Sequence, residues 1–151
     1  MIATQYYFVI IFFLTGFFVG CNHADNALSR TRVRTPNGAT IEVELALTNN
    51  EQRKGLQGRE QVPFGTGMLF IFTEKEMRTF WMKDVLVPLD IVWLKDKRIV
   101  GIVENAQPPK NEKIPTFISP VPVDAVLEIS GEALEQYNLK IGENLQYQVI
   151  E

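Results

Sequence analysis

From residue 40 onward the chain is a succession of short apolar runs, each closed by Gly, Pro, Asn or a charged turn. That punctuation constrains the fold more than any other feature, because runs this short suit strands better than helices. Residues 40–47 (TIEVELAL) set Ile41, Val43, Leu45 and Leu47 against Glu42, Glu44 and Ala46, the alternation of a strand with one dry face. Residues 67–72 (GMLFIF), 78–82 (RTFWM) and 89–94 (LDIVWL) are apolar on both faces, as in strands covered from both sides. Residues 123–130 (VDAVLEIS) read as a further strand, and Leu145, Tyr147 and Val149 alternate with Gln146 and Gln148 in a last one.

Turn and cap signals order these runs. Asn37-Gly38 predicts a hairpin from a short strand at 32–35. Thr48-Asn49-Asn50-Glu51 matches a capping box, so a helix should start at Asn49 and stop near Gly55 or Gln57. Lys95-Asp96-Lys97 is a polar turn into a return strand at 98–105, and the prolines of 106–115 forbid ladder bonds there. A second short helix is expected over 131–137, closed by Asn138 in the left-handed conformation. The sum is an α+β chain, mainly β, of about seven strands and two short helices. Strands apolar on both sides leave costly edges, so a closed or nearly closed barrel is expected.

The first part of the chain differs in kind. Residues 1–20 carry no charged side chain, are almost wholly apolar from Tyr6 to Val19, and end at Cys21. A buried core helix would need a polar face that the stretch lacks. A membrane span needs about 20 apolar residues, and a secretory signal needs an apolar segment with small residues at the cut. FVGC at 18–21 resembles a bacterial lipobox, in which the Cys becomes the lipidated first mature residue; Phe18 and the missing Lys or Arg near the start depart from that pattern. Either the lipid on Cys21 or an uncleaved span makes the membrane a partner and puts the domain outside the cytoplasm, in the cell envelope. Residues 21–32 turn polar and read as a flexible tether, leaving 33–151 as a single domain.

Charge and composition exclude several chemistries. Fifteen Lys and Arg stand against 18 Asp and Glu, for a net charge of −3 with no long basic run, which disfavours tight nucleic-acid binding. One Cys and one His allow neither an internal disulfide nor a Cys/His zinc cage. No acidic loop has calcium-site spacing, so no metal and no cofactor are expected.

RKGLQGR (53–59), GMLFIF (67–72), FWMKD (80–84), PLDIVWL (88–94), ENAQP (104–108) and VDAVLEISG (123–131) occur in this order. Together they resemble the domain of unknown function 192 family across about residues 33–150. The resemblance implies a compact, β-rich, barrel-like domain, often exported, and no established activity. Asp84 stands where the family commonly has Asn, and Gln57 where it often has Met.

FWMKD also frames the functional question. Trp81 is either core or the wall of a cleft, where it would stack on a planar or sugar-like ligand. Around it the sequence sets Arg59, Lys83, Asp84, Asp90 and Glu104. Asp90, between Leu89 and Ile91, is expected to be partly buried and to need a cation, with Arg59 or Lys83 the natural partner, or several N–H donors. The expected role is non-catalytic binding of a small molecule, glycan or protein partner, with Arg59, Trp81, Lys83, Asp84, Asp90 and Glu104 as candidate ligand-binding residues. The alternatives are a carboxylate-based hydrolase of envelope saccharides, pairing Asp84 or Asp90 with Glu104, and a purely structural scaffold.

Overall fold

A computed structural model describes residues 28–149. The apolar segment, Cys21 and most of the expected tether lie outside them. Strand β1 (Arg30–Arg34) starts inside the stretch read as tether and forms a hairpin with β2 (Thr40–Ala46). Helix α1 (Asn49–Lys54) follows with the full capping box: Thr48 Oγ1 accepts from the Glu51 N–H, and the Glu51 carboxylate accepts from the Thr48 N–H at 2.8 Å. This crossover brings β3 (Thr66–Glu76) parallel to β2. Then come β4 (Thr79–Trp81), β5 (Leu89–Lys95), β6 (Arg98–Ala106), β7 (Thr116–Ile118), β8 (Val123–Ser130) and α2 (Ala133–Tyr137). Among the described residues no helix is long and apolar enough to cross a membrane.

Six strands form one mixed sheet in the order β1-β2-β3-β8-β5-β6, and β4 pairs with β7 in a separate ribbon. The expected barrel is not formed, and the sheet is open. The doubly apolar strands need no closure, because each face of the open sheet is covered by its own layer. Val43, Leu69, Val92, Leu127 and Ile129 pack on one face beneath Leu134 and Tyr137 of α2 and Leu145 and Tyr147 of the C-terminal segment. On the other face Met68, Phe70, Ile91, Trp93 and Val126 pack under Leu56, Met82 and Val85. Each fully buried aliphatic or aromatic side chain contributes about 1.5–3 kcal/mol, so two such layers make up for the lack of closure.

The expected last strand is also absent as a strand. Asn144 and Gln146 make single bridges instead, to Arg98 at the start of β6 and to Arg34 at the end of β1. The Arg34 and Gln146 backbones exchange hydrogen bonds at 2.8 and 3.0 Å, and Ile99 N–H donates to Glu143 O at 2.8 Å. One strap thus touches both outer strands, while β1 itself, RTRVR, lines its edge with cations that discourage pairing with another chain. At the sheet centre Gly67 lies so close to β8 that a Cβ would stand 2.3 Å from Glu128 O, which only glycine avoids.

Candidate functional site

The ribbon and α1 leave a hollow over the second face of the sheet. In β4 the alternation turns Phe80 inward, where its ring meets Phe70, Phe72 and Trp93 edge-on at centroid distances of 4.9, 6.5 and 5.4 Å. Its neighbour Trp81 turns outward and stays 50% exposed, whereas Trp93 is sealed in the core as its apolar surroundings predict. Beside Trp81 lies a cavity of about 820 Å³, walled by Leu56, Phe70, Phe72, Phe80, Trp81 and Val85.

Four cations border this apolar hollow. Arg53 and Lys54 come from the last turn of α1, where positive charge complements the carbonyl end of the helix. Arg78 lies over the Phe72 ring at 4.0 Å, pairs with Glu76 at 3.1 Å and donates to Glu74 O at 2.7 Å. Lys83, just past the ribbon, is exposed. The one carboxyl in the lining is Glu128, from the middle of β8, and it is only 5% exposed. Met68 of β3 and Ile91 of β5 stand opposite it on either side. Loss of hydration pushes the Glu128 carboxyl up to about 8.

The residues expected from the sequence fall into separate places. Trp81 and Lys83 share this cavity. Arg59 does not; it holds the Glu44 carboxylate through both guanidinium nitrogens in a neighbouring hollow of about 220 Å³. That Arg59 contact, larger than the opposing cost of burial, keeps the Glu44 carboxyl below its ordinary range. Asp84 is exposed and left-handed, at φ 56°, a conformation that Asp and Asn tolerate better than other side chains. Its carbonyl accepts from the Gly58 N–H at 2.8 Å, tying the ribbon exit to the turn after α1.

Of the two kinds of partner expected for Asp90, the structure supplies N–H donors in place of the cation. Asp90 is wholly buried but points to the opposite face of the sheet from Arg59 and Lys83, because strand alternation sends Leu89 and Ile91 toward the cavity side. Its oxygens accept the Asn105 N–H at 2.7 Å and the Leu134 N–H at 2.9 Å. The second bond serves α2, whose N-cap residue Glu132 makes no side-chain cap. Asp90 is therefore a structural anchor, closed to solvent, and cannot flank a cleft as an acid or base. Glu104 is exposed on β6, away from the cavity lining.

Glu128, Arg53, Lys54 and Arg78 were not among the expected site residues. Glu128 had a readable signal, a carboxylate set between Leu127 and Ile129 in the apolar middle of a strand. The other three had none, since surface cations near a short helix are ordinary. Among the described residues no group of three His, Cys, Asp or Glu side chains is placed to hold a metal ion.

Two solved structures share this architecture. A protein of unknown function from Novosphingobium aromaticivorans DSM 12444 is 32% identical, with a TM-score of 0.72 over 82% of this chain and 89% of its own. A protein from Sinorhizobium meliloti 1021, described as a proposed transcription regulator, is 35% identical, with a TM-score of 0.68 over 78% of this chain and 92% of its own. No curated protein matches the sequence. The profile of the domain of unknown function 192 family, described as uncharacterized ACR, matches residues 32–147. With that match running from β1 to the strap, the chain belongs to the domain of unknown function 192 family.

Proposed function

We propose that the protein is a non-catalytic binding module of the cell envelope, held to the membrane through lipid on Cys21, and that the cavity beside Trp81 receives a small molecule or glycan. The observation that carries the binding role is the indole of Trp81, half exposed on the wall of an 820 Å³ hollow bordered by Arg53, Lys54, Arg78 and Lys83. A large apolar ring left in water beside fixed charges is the arrangement by which proteins stack and orient planar or ring-shaped ligands. The volume falls within the roughly 300–1,000 Å³ of small-molecule sites. The regulatory role proposed for the Sinorhizobium relative is not carried over, because a net charge of −3 gives little attraction for nucleic-acid phosphates.

A thermal-shift screen of envelope sugars and metabolites, run in parallel on the wild type and Trp81→Ala, tests the binding role. A ligand that raises the melting temperature of the wild type and not of the variant supports it, since binding to the native state stabilises that state. A hit that stabilises both proteins equally moves the site elsewhere. Mass spectrometry of the protein from native membranes tests the anchor. Acyl groups on an amino-terminal Cys21 support it, and an intact Met1 terminus refutes it.

A further inference from the structure

The lining of the cavity is chemically divided, with cations at the border and, among aromatic rings and aliphatic side chains, the carboxyl of Glu128. Glu128 is more than nine-tenths buried and lines the cavity, and among the described residues its carboxyl has neither a hydrogen-bond partner nor an ion-pair partner. Its oxygens open onto the cavity and not onto a protein donor, and a largely buried carboxyl without a protein partner is uncommon in native proteins. This one sits where an incoming molecule would meet it. We propose that the cavity selects small organic anions with a planar or apolar body, the charged group resting among Arg53, Lys54 and Lys83 and an uncharged acceptor on the body, a carbonyl or hydroxyl, taking a hydrogen bond from the protonated Glu128 carboxyl. The inference rests on the binding role proposed for the cavity and names the class of ligand it takes.

The chemistry follows from the surroundings of Glu128. The strands on either side face it with Met68 and Ile91, which carry no charge and do not titrate. The helix side contributes Arg53 and Lys54, and the ribbon side contributes Arg78 and Lys83. Arg78 is held by Glu76, Glu74 O and the Phe72 ring, with its buried Nε left unpaired, while Arg53, Lys54 and Lys83 make no ion pair among the described residues and face a ligand with their whole charge. With its ionisation near 8, Glu128 is largely a neutral acid at pH 7, able to donate through its O–H. Deprotonation removes that donor and adds a buried negative charge facing the ligand's acceptor. Ligand release on alkalinisation then follows from the loss of the Glu128 donor.

The test uses the full chain in detergent micelles and isothermal titration at pH 7 and pH 9 with three probes. 4-Acetylbenzoate carries both the anion and the acceptor, 4-isopropylbenzoate has the same shape without the acceptor, and 4-acetylbenzamide has the acceptor without the charge. The neutral fraction of Glu128 falls about tenfold between pH 7 and 9, so 4-acetylbenzoate should bind roughly tenfold more weakly at pH 9. At pH 7 it should bind more tightly than either of the other two. Glu128→Gln keeps an N–H donor without the ionisation, so it should bind 4-acetylbenzoate equally at both pH values. Glu128→Leu should lose the advantage of the acetyl over the isopropyl probe. Equal wild-type affinity at the two pH values, or indifference of the probes to Gln and Leu at 128, overturns the role of Glu128 and leaves the cavity as a binding site. Tightest binding of the neutral benzamide overturns the anion class. Binding of none of the three, alongside a Trp81-dependent hit in the thermal screen, overturns this inference and spares the binding role; no hit in either experiment overturns both.

Discussion

Replacing Glu128 by Gln should make the protein more stable at neutral pH and flatten part of its pH dependence. The carboxyl is 5% exposed and desolvation lifts it from an ordinary value near 4.5 to about 8. Below about 4.5 it is neutral both folded and unfolded, so the folded state suffers no penalty there. As pH rises toward 8 only the unfolded chain ionises, which favours unfolding by about 1.4 kcal/mol for each pH unit. Between 4.5 and 7 the loss amounts to about 3 kcal/mol, a large share of the roughly 5–15 kcal/mol that keeps a domain folded. Gln, which does not titrate and nearly matches the shape of the protonated acid, escapes the loss. Urea unfolding of both proteins at pH 4.5, 6, 7 and 8, without ligand, gives the comparison. Other acids, such as Glu44, titrate alike in both and cancel. The gap between the two curves should open with pH to about 3 kcal/mol at pH 7. Parallel curves across that range would refute the reasoning, since they would mean that Glu128 ionises folded as easily as unfolded.

Trp93→Ala should cost about 3–5 kcal/mol in the same assay, because the ring is 1% exposed and meets Phe80 edge-on, whereas Trp81→Ala should cost under about 1 kcal/mol, its ring being half exposed. Asp90→Ala should cost about 3 kcal/mol by leaving the Asn105 and Leu134 N–H groups without an acceptor, with amide exchange at Leu134 rising sharply. Glu44→Gln should cost about 1 kcal/mol at neutral pH and nothing in acid. Arg59 holds Glu44 below its ordinary range, so that stabilisation is full above about 4.5 and fades as pH falls; denaturant midpoints at pH 7 and pH 3 measure it.

Wherever local chemistry decides the conformation, the sequence was readable. The capping box at Thr48, the polar turn at Asp96-Lys97, the strand at Val123–Ser130 and the left-handed Asn138 all stand where their residue types put them. Decisions that depend on distant partners were not. Leu145 and Tyr147 alternate as a strand does, yet their segment meets two different strands at single points, which no local pattern encodes. Dense apolar runs pointed to closure, although covering both faces with helices, ribbon and strap satisfies the same burial. The site divides the same way. Trp81 and Lys83 are neighbours in sequence and remain so in the cavity, while Arg59 is drawn aside by Glu44 and Asp90 is turned through the sheet by its parity.

The strap from Gly142 to Gln146 has a consequence for how the protein fails. A proteolytic cut there would loosen the backbone partners of Arg34 and Ile99 together, freeing one more position at the outer flank of the first strand of the sheet and one at that of the last. A molecule with one adhesive flank stops at a pair, whereas one with two can add neighbours on both sides without limit. Nicked protein should therefore self-associate more readily than intact protein, and salt, by screening the arginines of β1, should increase that association.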